Sequence, residues 1–126
     1  MLHLAKYLAS TRNEGIILRP NKEKSFEVYA DADFSGNWYK PTAEKDASTA
    51  KSRTGYVITY ASCPITWASK LQGCISLSTT ESEYVALSQS LREAIPLMNL
   101  LKELNIKENF VLMSVESHGL TYPKID

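Results

Sequence analysis

Apolar and polar residues alternate over residues 25–33, which read SFEVYADAD. Successive side chains of a β-strand point to opposite faces, so this pattern predicts a strand with one apolar face. The apolar positions are Phe26, Val28 and Ala30. Asp31 and Asp33 fall on the opposite side, and both aspartates therefore leave the strand together.

Other apolar patterns place further elements around this strand. Before it, LHLAKYLAST predicts a short amphipathic helix that stops near Gly15, and the main fold is expected to begin near Ser25. After it, the polar residues 36–50 predict a surface loop. RTGYVITYA and PITWAS, separated by SCP, predict an antiparallel pair of strands, and FVLMSV predicts a last buried strand.

A long helix is predicted between the third and fourth strands. Ser78 and Glu81 have the spacing of a capping box, in which the Glu81 side chain reaches back to the cap amide. The helix should continue to about Asn105, with a kink at Pro96 because proline lacks an amide donor. Its buried stripe is expected at steps of three and four, at Tyr84, Leu87, Leu91, Ala94, Met98 and Leu101.

This order of elements predicts an α/β fold with a mixed sheet. Three consecutive strands are followed by a helix and one more strand, so the last strand should return parallel beside the first after a right-handed crossover. Ligands of such sheets gather outside the strand ends, where the connections diverge.

Composition narrows the functional classes only slightly. The 126 residues suit one domain, and 14 basic residues balance 14 acidic ones, so net charge neither supports nor excludes a nucleic-acid substrate. Cys63 and Cys74, with only two histidines, are too few for a structural zinc site and are interpreted as reduced thiols. We therefore expect a cytoplasmic or nuclear protein. No apolar run approaches the roughly 20 residues that span a bilayer.

Three carboxylates form the candidate site. The topology could bring together Asp31 at a strand end, Glu83 in the first turns of the long helix and Glu116 after the last strand. Such a cluster of hard oxygen ligands suits Mg²⁺ or Mn²⁺, often as two ions about 4 Å apart. The alternative for Asp31 is a strand-end turn former, as Asp33 would be toward Gly36.

Basic and aromatic residues form a second candidate set on the predicted hairpin. Lys51, Arg53 and Lys70 could hold a phosphate backbone, with Tyr56, Tyr60 and Trp67 interleaved. Sheet packing is the alternative role of these aromatic residues. His3 and His118 lie in peripheral segments, so a hydrolase triad is not expected.

Several stretches carry a resemblance to a known family. YADADFSG, the segment from KSRTGYVITY through LSTTESEYVALSQSLREAI, and LMNLLKEL resemble the ribonuclease H domain of copia-type (LTR) retrotransposon polyproteins. KYLASTRNEGIILRP resembles the segment that joins the reverse transcriptase to that domain. The resemblance implies that residues 1–24 are the tail of this connection and that residues 25–126 are a ribonuclease H-like domain.

The family also implies a function and a site. Its members have a five-stranded fold and cleave the RNA strand of RNA–DNA hybrids with four acidic residues and two Mg²⁺ ions. Asp31 and Glu83 match the first two acids, Glu116 stands where an aspartate is usual, and no fourth acid follows before Asp126. The resemblance therefore predicts a domain incomplete at its C-terminus, with a hybrid and a reverse transcriptase domain as partners.

Two functions from different classes remain open at this point. One is metal-dependent hydrolysis of RNA in RNA–DNA hybrids. The alternative is a catalytically inactive retroelement remnant that at most binds nucleic acid weakly through Lys51, Arg53 and Lys70, and a purely structural domain is a third possibility.

Overall fold

A computed structural model describes residues 2–107 and 110–114. Its centre is a four-stranded sheet in the order β3-β2-β1-β4. The strands are β1 (Phe26–Asp33), β2 (Arg53–Tyr60), β3 (Cys63–Leu71) and β4 (Phe110–Ser114). The helices are α1 (Leu2–Ser10), the single turn α2 (Lys40–Ala43), a 3₁₀ turn (Ala47–Ala50) and α3 (Thr79–Glu103).

Strand pairing confirms the predicted mixed sheet. β1 and β2 are antiparallel, with Asp31 opposite Gly55 and Asp33 opposite Arg53. β2 and β3 form the antiparallel hairpin, whereas β4 lies parallel to β1 with Phe110 opposite Phe26. The carboxyl ends of β1 and β4 therefore lie at the same end of the sheet.

Helix α3 covers one face of the sheet and makes the core there. The alternation in β1 is confirmed, because Phe26, Val28 and Ala30 are all buried. They form one cluster with Tyr56 and Ile58 of β2 and with Ala94 of α3. We call the opposite side of the sheet the outer face; it includes Asp31, Asp33, Val57 and Trp67.

The predicted buried stripe of α3 is confirmed in part, because Ala94 is buried and Leu87, Met98 and Leu101 pack against the core. Small residues at steps of four are fully buried in it: Ser82, Ala86, Ser90 and Ala94. Tyr84 is 66% exposed, so its placement in the stripe is wrong. Serine can be buried here because its hydroxyl bonds the helix backbone: Ser90 Oγ donates to the Leu87 carbonyl at 2.8 Å. Short side chains let the helix lie close to the sheet.

Both ends of α3 lie near their predicted positions. Ser78 Oγ accepts the Glu81 amide at 3.1 Å, which confirms the predicted cap. The Glu81 carboxylate accepts a hydrogen bond from the Leu77 amide at 2.7 Å. The predicted donor was the amide of the cap residue Ser78, one residue later. The helix continues past Pro96 and ends at Glu103, two residues before Asn105.

The connections contain two features that the sequence patterns did not predict. Ala61 and Ser62 form a two-residue turn between β2 and β3, with φ of 51° and 65°. Hairpin turns of this hand usually use Asn-Gly, so Ala-Ser gave no turn signal. Residues 36–50, expected as a plain loop, include the exposed turn α2 and the 3₁₀ turn.

Helix α1 has no buried residue, and its leucines Leu2, Leu4 and Leu8 are exposed. The assignment of residues 1–24 to a connection segment stays a prediction. Within the described part of the chain, no helix has the length and apolar character needed to cross a membrane.

Candidate metal and nucleic-acid site

Asp31 lies on the outer face near the carboxyl end of β1. The Asp31 side chain is exposed, and it has no hydrogen-bond or ion-pair partner among the described residues. Its cross-strand neighbour is Gly55, where an added Cβ would meet no atom within 4 Å. The surface beside this carboxylate is therefore open to a ligand.

Asp33 has a structural role in the following turn. Its carboxylate lies against Gly36, where a Cβ would clash with it. Glycine at position 36 lets the backbone approach this carboxylate closely. This contact agrees with the predicted role of Asp33 as a turn former rather than a ligand.

Glu83 lies near the N-terminus of α3 and is half-buried. It has no described hydrogen-bond or ion-pair partner, whereas the exposed Glu81 is engaged in the helix cap. Two residues apart on a helix, these side chains point about 200° from each other. The structure thus separates a capping glutamate from one that is free for a site.

A buried amide connects α3 to β2, the strand that pairs with β1. Gln72, 1% exposed, donates through Nε2 to Thr54 Oγ1 at 3.1 Å and to the Ser82 carbonyl at 2.8 Å. Thr54 is the cross-strand partner of Ala32. The start of α3 therefore lies at the end of the sheet where β1 finishes, and Asp31 and Glu83 belong to the same end of the molecule.

The third predicted ligand cannot be placed in this way. Glu116 lies outside the described residues, and so does His118. The described part of the chain contains no group of three His, Cys, Asp or Glu side chains that could hold a metal ion. Asp31 and Glu83 are the described part of the candidate site.

The basic residues divide between the two faces of the sheet. Arg53 faces Asp33 across the ladder and so shares the outer face with the aspartates. Lys51 is two residues earlier, on the other side of buried Ser52, and follows the same alternation. Neither cation has an ion-pair partner among the described residues.

Lys70 points to the helix side instead. Its Nζ lies 4.0 Å from a Glu93 carboxylate oxygen on α3 and 6.0 Å from the centroid of the buried Tyr56 ring. The structure thus brings Arg53 to the face of Asp31 but does not bring Lys70 there. Tyr56 has the packing role that was the alternative for the aromatic residues.

A third carboxylate on the outer face, Glu27, was not predicted as functional. Glu27 is 6% exposed, its Oε1 lies 3.5 Å from Lys24 Nζ, and its Oε2 accepts the Tyr29 hydroxyl at 3.2 Å. Burial of Tyr29 and the nearby Glu27 charge raise the pKa of the tyrosine. These contacts make Glu27 a paired, structural acid at the amino end of β1.

Comparison with known proteins gives relatives over most of the chain. It is 38% identical over 116 residues to the retrovirus-related Pol polyprotein from transposon TNT 1-94 of Nicotiana tabacum, covering 92% of this chain. It is 34% and 33% identical to the corresponding polyproteins from transposons RE1 and RE2 of Arabidopsis thaliana, covering 82% and 81% of the chain. The chain is a relative of retrotransposon Pol polyproteins.

The relationship concerns one segment of these polyproteins. The chain spans 8% of the tobacco polyprotein and 6% of each Arabidopsis one. The similarity supports a retroelement origin and so confirms the coarser part of the family resemblance, while the names of these relatives do not mention a ribonuclease H domain. No protein-family model matches the chain, and no solved structure gives a significant match.

Proposed function

We propose that this segment is a metal-dependent ribonuclease H-like domain that hydrolyses the RNA strand of RNA–DNA hybrids. The observation that carries the proposal is the placement of two unpartnered carboxylates, Asp31 and Glu83, at one end of a mixed sheet in a relative of Pol polyproteins. Most unpaired acids simply face solvent, so the support comes from the position of these two acids at one end of the sheet in such a relative.

The donor chemistry of these residues fits a divalent cation. Both side chains offer carboxylate oxygens, which Mg²⁺ and Mn²⁺ prefer, and neither oxygen pair is engaged by a described hydrogen-bond donor. We expect Asp31 and Glu83 to hold the ion, with Glu116 as a further proposed ligand. When bound, such an ion polarises a phosphodiester and lowers the pKa of water.

The chain itself would position the substrate on the outer face. Arg53 is a cation on the same face as Asp31, where the strand ladder fixes it two positions away, and Lys51 comes two residues before it in the sequence. Contacts from such cations to phosphates set the register of a nucleic acid without reading its sequence. In this proposal they hold the scissile strand against the sheet end that bears Asp31, and Lys70 contributes little because it faces α3.

Cleavage of a labelled RNA–DNA hybrid in Mg²⁺ or Mn²⁺ tests the proposal. Wild-type chain should release RNA products, whereas Asp31→Asn and Glu83→Gln should each remove activity while leaving the circular dichroism spectrum unchanged. Asp33→Asn is the matched control, because its carboxylate lies against Gly36. A folded wild-type chain without product, or products that persist in both variants, would contradict the proposal.

A second candidate, nucleic-acid binding without cleavage, is favoured by the unpaired cations Lys51 and Arg53. It predicts a hybrid affinity that falls with salt and is unchanged by Asp31→Asn. Arg53→Ala should weaken this affinity more than Lys70→Ala, since Lys70 Nζ lies 4.0 Å from Glu93. Equal losses in these two variants would argue against the outer face as the binding surface.

A further inference from the structure

A buried polar network joins the start of α3 to the strand beside β1. The Gln72 amide uses both of its Nε2 hydrogens, one to Thr54 Oγ1 and one to the Ser82 carbonyl. Its Oε1 accepts the Ser76 hydroxyl at 3.0 Å. Thr54 and Ser82 are fully buried, as is Gln72 at 1% exposure.

The burial of a glutamine in this position needs an explanation. Glutamine is mostly found at the surface, and a buried amide is costly unless its hydrogen bonds are satisfied. Gln72 satisfies three of the four bonds available to its side chain. An apolar residue would fill the same space without this requirement, so the role of the amide lies in the groups that it connects.

The two bonds that Gln72 donates end close to the candidate ligands, one on α3 and one on the strand beside β1. Ser82 immediately precedes Glu83 in α3. Thr54 pairs across the ladder with Ala32, which immediately follows Asp31 in β1. The Gln72 backbone amide also donates to the Ser52 carbonyl at 2.9 Å and so extends the β2–β3 pairing. The side chain therefore ties the helix start to the strands at the level of Asp31.

From this arrangement we infer that Gln72 is a positioning residue, which holds the first turns of α3, and Glu83 with them, in register with Asp31. The inference rests on the proposed function for its effect on cleavage. A cation shared by carboxylates from two elements requires those elements to keep a fixed separation. The hydrogen bonds to Thr54 and Ser82 supply that constraint without contact with the substrate.

The test compares Gln72→Met with Gln89→Met. Methionine keeps the length of the side chain and removes all three hydrogen bonds, and Gln89 is a half-buried glutamine on α3 with no described hydrogen bond. Gln72→Met should lower kcat or raise the half-saturating Mg²⁺ concentration by about tenfold to a hundredfold, as loss of outer support does in metal sites. The KM for hybrid should stay within about twofold, and Gln89→Met should match wild type.

Milder variants keep the test decisive if Gln72→Met fails to fold. Thr54→Val removes the hydroxyl that accepts from Gln72, whereas Thr54→Ser keeps it. The Mg²⁺ requirement should rise in Thr54→Val and return to the wild-type value in Thr54→Ser. Folded Gln72→Met or Thr54→Val with wild-type kcat and Mg²⁺ dependence would overturn the inference.

A second readout separates this inference from the proposed function. Hydrogen exchange at the amides of residues 82–84 should accelerate in Gln72→Met, relative to residues 97–99 near the other end of α3. If wild-type chain cleaves no hybrid, the proposed function fails, and this local acceleration still supports positioning by Gln72. Unchanged exchange in the first turns of α3 would overturn it.

Discussion

Substitution of Glu81 is expected to lower the stability of the fold, whereas substitution of Glu83 is expected to abolish cleavage. The Glu81 carboxylate accepts the Leu77 amide at 2.7 Å in front of the helix, while Glu83 has no described partner. Glu81→Ala removes this bond and an acidic charge near the positive end of the helix dipole. Loss of a cap costs about 1 kcal/mol, and an exposed charge at a helix N-terminus adds about 0.3 kcal/mol or more.

We therefore predict that Glu81→Ala lowers the free energy of unfolding by about 1 kcal/mol, equivalent to about 3–5 °C in Tm for a domain of this size. Its hybrid cleavage at a temperature below Tm should equal that of wild type. Glu83→Gln should abolish cleavage and change stability by less than about 0.5 kcal/mol, as expected away from caps and core.

Thermal and urea unfolding followed by far-ultraviolet circular dichroism, together with the cleavage assay, measure both effects. Glu81→Gln is the matched control for Glu83→Gln, because each exchanges a carboxylate for an amide of the same size. If Glu81→Gln abolishes cleavage, or if Glu83→Gln destabilises the fold as much as Glu81→Ala, the separation of cap and site is wrong.

Three further predictions concern the fold. Ile58→Ala, at a fully buried position, should cost about 3–4 kcal/mol in urea unfolding, and a loss below 1 kcal/mol would contradict its place in the core. Ser62→Gly should stabilise by about 0.5 kcal/mol, because relief of the left-handed φ of 65° exceeds the added entropy of the unfolded chain; a destabilised variant would refute this. The raised pKa of Tyr29 contributes stability that is complete below the ordinary value of 10.0 and is lost as pH rises through the folded value. The difference in urea stability between wild type and Tyr29→Phe should therefore shrink above pH 10, and a constant difference would exclude this linkage.

The strands and the sheet order could be predicted because one face of the sheet is buried. Alternation at Phe26, Val28 and Ala30 identifies the core face of β1, and the number of residues between β3 and β4 leaves room for a crossover helix. Ser78 and Glu81 identify the start of α3 from local chemistry alone. Such features depend on neighbours in the sequence and are therefore visible in it.

Other features depend on contacts between distant residues. Ser82 and Ser90 are polar by type, and only close packing of α3 on the sheet makes them core positions. Gln72 gave no signal for the same reason, because its partners Thr54 and Ser82 lie 18 and 10 residues away. The separation of Arg53 from Lys70 follows from strand register, which the hydrophobic pattern of the hairpin did not determine.

For Asp31 and Glu83, the sequence predicts the positions of the side chains but does not establish their role. Alternation placed Asp31 on the solvent side of β1, and the helix period distinguished Glu83 from Glu81; the structure agrees with both placements. Their common role as ligands stays a prediction, since carboxylates at a strand end and in a helix can also be solvated charges.

The most direct test of the account is paramagnetic broadening by Mn²⁺ in amide spectra of the ¹⁵N-labelled chain. If Asp31 and Glu83 share a cation, substoichiometric Mn²⁺ should broaden the amides around both residues together, excess Mg²⁺ should reverse the effect, and Asp31→Asn should weaken broadening around Glu83 as well. Broadening confined to one of the two, or broadening around Glu83 that is unaffected by Asp31→Asn, would contradict a shared metal site.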